Sequence, residues 1–122
     1  MKRCMFVDDS NVIRKVAKRI LGGSDLFVIE AASGQEAVSM CEADMPDIVV
    51  IDVGLPDMPA VDLIRRIRSI HSPIVPHLAV CLAEVDVPTI MRAKRAGAQS
   101  FILKPFNRSQ LLERFRAMSA AA

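Results

Sequence analysis

Three short apolar runs in this chain each end in a charge that an apolar run should not want. Cys4-Met5-Phe6-Val7 runs into Asp8-Asp9, Ile48-Val49-Val50-Ile51 into Asp52, and Phe101-Ile102-Leu103 into Lys104-Pro105. If the runs are parallel strands, their carboxyl ends share one sheet edge, and three carboxylates and one ammonium meet there. Like charges that close cost several kcal/mol unless a cation or a shared proton relieves them. Carboxylate oxygens are hard ligands suited to Mg²⁺, whereas zinc would want His or Cys, and neither is placed here. A divalent cation beside a carboxylate favours phosphoryl transfer, in which an Asp acts as nucleophile and the remaining work is positioning and charge neutralisation. Asp52, alone at the end of the most apolar run, is the natural nucleophile. The paired Asp8 and Asp9 are the natural metal holders, and Lys104 answers the phosphoryl charge.

The elements that must bring these residues together alternate strictly. Strands are expected at Cys4–Val7, Leu26–Glu30, Asp47–Ile51, His77–Leu82 and Ser100–Leu103. Helix-period segments fill the gaps. Helix one, Asn11–Leu21, follows Ser10 as N-cap, with Val12, Ile13, Val16, Ala17, Ile20 and Leu21 as its apolar face and Gly22-Gly23 as its stop. Ser33-Gly34-Gln35-Glu36 has the form of a capping box opening helix two, which runs to Ala43. Helix three is expected at Ala60–Ile70 and helix four at Val87–Ala96, ending at Gly97. Helix five follows Asn107 with the stripe Leu111, Leu112, Phe115 and Met118, and the tail Ser119–Ala122 is expected to fray. Strict βα alternation predicts an α/β fold with a parallel sheet, helices on both faces and right-handed crossovers. Strand three is apolar throughout, as a central strand covered on both sides should be. Ligands in such sheets bind beyond the carboxyl ends of the strands.

Composition narrows the function classes. A chain of 122 residues that is 52% apolar supports one domain with a real core. Five Phe, no Trp or Tyr and a net charge of +2 give neither a stacking platform nor a phosphate-tracking surface, so nucleic acid is not the expected partner. Cys4, Cys41 and Cys81 are odd in number and far apart, and read as small core residues in a reducing cytoplasm. No signal peptide or membrane span is expected.

The motifs Phe6-Val7-Asp8-Asp9-Ser10, Ile51-Asp52-Val53-Gly54-Leu55-Pro56-Asp57-Met58, Ala96-Gly97-Ala98 and Leu103-Lys104-Pro105-Phe106 occur in the order found in one family. The chain resembles, over essentially its whole length, the receiver domain of bacterial two-component response regulators, and in particular the single-domain chemotaxis type. The resemblance implies a (βα)₅ doubly wound, flavodoxin-like fold with a five-stranded parallel sheet of order 2-1-3-4-5. It implies that Asp52 takes a phosphoryl group from a kinase phosphohistidine. It further implies that Asp9 binds Mg²⁺ directly, Asp8 largely through water, that the Gly54 backbone carbonyl completes the ligands, and that Lys104 contacts the phosphoryl oxygens across a cis Lys104-Pro105 bond. No output domain fits in the remaining residues, and the chain is expected to act as a monomer through protein contacts. It is not expected to be an enzyme beyond its own phosphorylation and dephosphorylation.

The chain departs from the family pattern in three places. The hydroxyl residue usual after strand four is Leu82 in Val80-Cys81-Leu82-Ala83-Glu84, and its aromatic partner on strand five is Phe101, which has no hydroxyl to re-pair. A lost hydrogen bond to a charged group is worth roughly 1.5–3 kcal/mol. Thr89 is no substitute, since it falls inside helix four. Pro59-Ala60 stands where a polar residue and Gly are common. Gly54 lacks the side chain that often tunes dephosphorylation.

For partner binding the resemblance points to Ser10, Asn11, Ile13, Pro105 and Phe106 facing a histidine kinase or phosphotransfer helix. Ile90, Lys94 and Phe101 would lie on the output surface toward a downstream protein. Arg14, Lys15, Lys18 and Arg19 read as a basic, mostly solvated stripe. Asp57 and Asp62 read as helix caps or solvated loop charges, and His71 and His77 as structural or solvated. The alternative is a phosphorylation-independent pseudo-receiver acting as a protein-binding adaptor. Leu82 favours it, and the intact acidic set and Lys104 oppose it. A small aspartyl-phosphate phosphatase would need a second Asp where Gly54 stands, together with a cap domain.

Overall fold

The apolar runs are strands because both of their faces are covered. The computed structural model describes residues 2–22 and 25–121. Along the chain these are β1 (Lys2–Val7), α1 (Asn11–Leu21), β2 (Leu26–Ala31), α2 (Gly34–Ala43), β3 (Ile48–Asp52), α3 (Ala60–Arg68), β4 (His77–Leu82), α4 (Val87–Ala96), β5 (Ser100–Leu103) and α5 (Arg108–Ala121). All strand pairs are parallel, in the order β2-β1-β3-β4-β5, which is the expected fold.

The sheet divides the core in two. Met5, Val7, Val49, Ile51, Leu78, Val80 and Leu82 face α2, α3 and α4, while Cys4, Phe6, Val50, Ala79, Cys81 and Ile102 face α1 and α5. This is the period-two alternation of a strand. It also sets which face the next residue takes, so Asp8 and Asp52 continue the α1–α5 side. All three cysteines are buried and free, as expected of core residues.

Local chemistry ends the helices. Ser10 Oγ accepts from Ile13 N–H at 3.2 Å and Ser33 Oγ from Glu36 N–H at 3.1 Å. Asp86 caps α4, and Asn107 and Gln110 cap α5 reciprocally, at 2.8 and 3.0 Å. Gly97 closes α4 at φ 127°, where a side chain would be strained. A Cβ there would also sit 3.0 Å from Arg68, whose guanidinium donates to the Gly97 and Pro76 carbonyls and to Gln99.

Several expectations are corrected. Val12 and Val16 are not on the buried face of α1; they are 69% and 37% exposed, because the face is the narrower set Ile13, Ala17, Ile20 and Leu21. β1 begins at Lys2 through its pairing with Leu26 and β2 extends to Ala31 through Val7. β3 lies one residue later than expected, so Asp52 is its last residue and pairs with Cys81. α3 ends at Arg68. α5 continues through Ala121, so the expected fraying from Ser119 is not seen there; Gly23 and Ala122 lie outside the described residues.

Candidate phosphoryl and metal site

Register builds the site. Val7, Ile51, Val80 and Phe101 form one row across four strands. The next residues, Asp8 and Asp52, therefore lie abreast on adjacent strands, directed to the same face. Lys104 comes two positions after the β5 residue of that second row and reaches back with its long stem. Its Nζ lies 2.7 Å from Asp52 Oδ1 and 3.4 Å from Asp8 Oδ2. The Lys104-Pro105 peptide is cis.

Asp8 is held at every polar atom. Its N–H donates to Ala31 O at 3.1 Å, Oδ1 accepts from Ser10 N–H at 2.9 Å, Oδ2 faces Lys104, and its carbonyl accepts from Arg14 Nη1 at 2.7 Å. Asp52 Oδ2 accepts from Gly54 N–H at 3.2 Å. Asp8 and Asp52 are buried, at 1% and 5% exposure, and Asp9 is exposed.

The electrostatics follow from that burial. Desolvation raises the Asp8 pKa, and the Asp52 charge adds to the rise, against the opposing Ser10 N–H and Lys104. Burial works to lower the Lys104 pKa, but its bond to Asp52 and the charges of Asp52 and Asp8 leave it raised overall, so it stays an ammonium. Cys81, beneath the site, is pushed up to about 12 by burial and remains a thiol. Asp8, Asp9 and Asp52 each offer one oxygen within 4.8 Å of the others. Three carboxylates and one ammonium leave about two negative charges, which a divalent cation offsets. All-oxygen donors with one exposed member suit Mg²⁺, which keeps several waters. The residues present fit that ion.

Of the expected site residues, Asp8, Asp9, Asp52 and Lys104 come together, and Gly54 adjoins them through its N–H to Asp52. Leu82 does not join them. It is 3% exposed and belongs to the α2–α4 core with Ile90, on whose margin Phe101 packs. Phe101 is half-buried, with the Arg114 guanidinium carbon 4.8 Å from its ring centroid. Thr89 is in α4 and donates to its cap Asp86 at 2.8 Å.

Among partner candidates, Ile90 is corrected: at 8% exposure it is core, not surface. Ile13 is half-buried against the α1–α5 core, Ser10 serves as a cap, and Phe106 stacks edge-on against Phe6 at 6.0 Å. Asn11, Lys94 and Pro105 are exposed. His77 bonds Ser100 Oγ at 2.8 Å, and His71 is exposed.

The sequence reading missed Arg14, and it expected Asp57 as a cap or loop charge without placing the helix it serves. Arg14 is not part of a solvated stripe; its side chain is 13% exposed and its Nε donates to Glu30 at 3.1 Å. The signal was a fourth apolar run, Leu26–Ile29, ending in a charge, Glu30. Asp57 caps a helix other than its neighbour, accepting from Gly34 and Gln35 N–H of α2, both at 3.0 Å.

Residues 4–116 match the response regulator receiver domain, and the chain belongs to that family. Within it, the chain is 34% identical to the chemotaxis protein CheY of Thermotoga maritima over 119 residues, which is 97% of this chain and 98% of that protein. It is 31% identical to CheY of Bacillus subtilis, over 91% and 92% of the two chains. The crystal structure of chemotaxis protein CheY4 of Vibrio cholerae matches with a TM-score of 0.90 at 26% identity, covering 96% of this chain and 98% of that one. The chain is a CheY-like receiver of two-component signalling. Among the described residues no helix is long and apolar enough to cross a membrane.

Proposed function

We propose that Asp52 accepts a phosphoryl group from the phosphohistidine of a kinase or phosphotransfer protein, and that the charged protein acts by contact with a downstream target. The observation that carries this reading is the single ammonium of Lys104, 2.7 Å from Asp52 and 3.4 Å from Asp8, among three gathered carboxylates. An Asp52 oxygen attacks phosphorus, the P–N bond breaks, and the imidazole leaves with its electron pair. Asp8, Asp9, Asp52 and the Gly54 carbonyl would hold Mg²⁺, which would supply charge neutralisation. Lys104 turns from Asp52 to the transferred oxygens. Hydrolysis returns the carboxylate when water attacks phosphorus. A Cβ at Gly54 would lie only 3.3 Å from Asp52 Oδ2, so glycine leaves that approach open to water. The protein turns over no separate substrate. It works as a cytoplasmic monomer, without nucleic acid.

The readout differs from that of a receiver with a Ser or Thr after β4. Leu82 has no hydroxyl to donate to the phosphoryl group and is committed to the core, and Phe101 is held by packing and by Arg114 rather than by a hydroxyl. Leu82 also favours a second reading, in which the chain docks partners without being phosphorylated. Intact mass after exposure to acetyl phosphate, with and without Mg²⁺, decides between them. One added phosphoryl group that requires Mg²⁺ and is lost in Asp52→Asn supports the first. No adduct at any Mg²⁺ concentration establishes the adaptor.

A further inference from the structure

We infer that Arg14 is a positioning residue for the metal-holding pair, aiming Asp9 through the peptide it shares with Asp8. This rests on the metal site proposed above. Asp9 is the exposed member of the acidic set, and among the described residues its side chain makes no hydrogen bond. Asp8, by contrast, is fixed by its N–H, by both carboxylate oxygens and by its carbonyl. The Asp8 carbonyl and the Asp9 N–H belong to one planar unit. The 2.7 Å bond from Arg14 Nη1 to that carbonyl therefore sets the plane from which Asp9 departs.

The fork of the guanidinium makes three bonds, one of them from Nη2 to Asn11 Oδ1 at 3.3 Å within α1. Nη1 holds the Asp8 carbonyl while Nε holds Glu30 Oε1 at 3.1 Å. Glu30 lies on β2 opposite Phe6, two residues before Asp8 on the neighbouring strand. The arginine thus ties the metal loop to the sheet rather than to solvent. The pair is largely buried, at 13% and 22% side-chain exposure, so screening by solvent is limited. Glu30, which also faces the Lys18 ammonium at 3.8 Å, offsets part of the guanidinium charge and so reduces its repulsion of a cation at Asp8, Asp9 and Asp52. A lysine carries the same charge as a point and cannot make both bonds in this geometry.

The test is metal affinity, measured by EPR titration of the full chain with Mn²⁺ alone, alongside urea unfolding of each variant. Arg14→Gln and Arg14→Lys are expected to weaken Mn²⁺ binding alike, by roughly tenfold, the scale on which outer partners of metal ligands act. Arg19→Gln, which removes an exposed charge from the same helix, is expected to bind as the unaltered chain does. Glu30→Gln keeps Arg14 but weakens its anchor from a carboxylate to a neutral amide, and provides the readout if the Arg14 variants unfold; it too is expected to weaken binding. Unchanged affinity in Arg14→Lys and Glu30→Gln, with binding still abolished by Asp9→Asn, overturns the inference and leaves the site reading intact. Equal weakening by Arg19→Gln assigns the effect to net charge and also overturns it. An unaltered chain that binds no Mn²⁺ overturns both.

Discussion

At the scale of single residues, Leu82 is the side chain on which the proposed readout of the site turns. The charged groups sit on the α1–α5 side of the sheet, and Leu82 faces the other way into the core. Burying a leucine is worth roughly 1.5–3 kcal/mol, so this residue contributes to the fold instead of to the phosphoryl contact. Leu82→Thr exchanges core packing for a hydroxyl. Chemical denaturation is expected to show a loss of about 2 kcal/mol. The same variant is expected to lengthen the lifetime of the phosphorylated state and alter partner affinity, because a hydroxyl at the end of β4 can donate to the phosphoryl group once that end of the strand turns it out of the core. A variant with unchanged lifetime and affinity would remove Leu82 from any account of switching. The charges at the strand ends were legible as a site because a charge after an apolar run has a cost that needs relief. The orientation of Leu82 followed from alternation only once the register of β4 was known.

At the scale of elements, Asp57 joins the loop after β3 to the start of α2. Its carboxylate accepts two backbone N–H groups that the helix cannot satisfy itself, where the helix dipole also favours negative charge. Those two bonds, Gly34 first, hold the Asp57 pKa below its ordinary 3.8. A depressed carboxylate pKa means the unfolded state takes up its proton first. The stabilisation is therefore present above the unfolded value and is lost as pH falls through the folded one. Asp57→Ala is expected to cost about 1 kcal/mol at neutral pH, the usual scale of a lost cap. It should cost progressively less in acid-denaturation series below about pH 4. A pH-independent difference would assign the effect to loop packing. Nothing in the spacing of Asp57 and Gly34, far apart in the chain, announced this contact; the sequence reading recognised a cap but not which helix it serves.

At the scale of the molecule, the ends of β1, β3 and β5 bring their charged groups to one cleft with about two excess negative charges. The metal-free protein carries that repulsion, so Mg²⁺ should stabilise it through linkage. At ten times its dissociation constant the ion adds about 1.4 kcal/mol, which raises Tm by several degrees and is reversed by EDTA. Asp9→Asn should abolish the shift in thermal unfolding, and an equal shift with Ca²⁺ in that variant would show a non-specific salt effect. Strand and helix identity, their alternation, and the meeting of Asp8, Asp9, Asp52 and Lys104 at one sheet edge were determined by the sequence alone. Those properties depend on local period, caps and the cost of a charge beside an apolar run, all carried by neighbouring residues. Tertiary structure decided the rest: that Val12 and Val16 face outward, that Ile90 is core, that Arg114 covers Phe101, and that Arg14 reaches from Glu30 to the Asp8 carbonyl. These depend on which distant segments the sheet order and register bring within about 3–5 Å, the range of hydrogen bonds and ring contacts, and separation along the chain does not encode that distance.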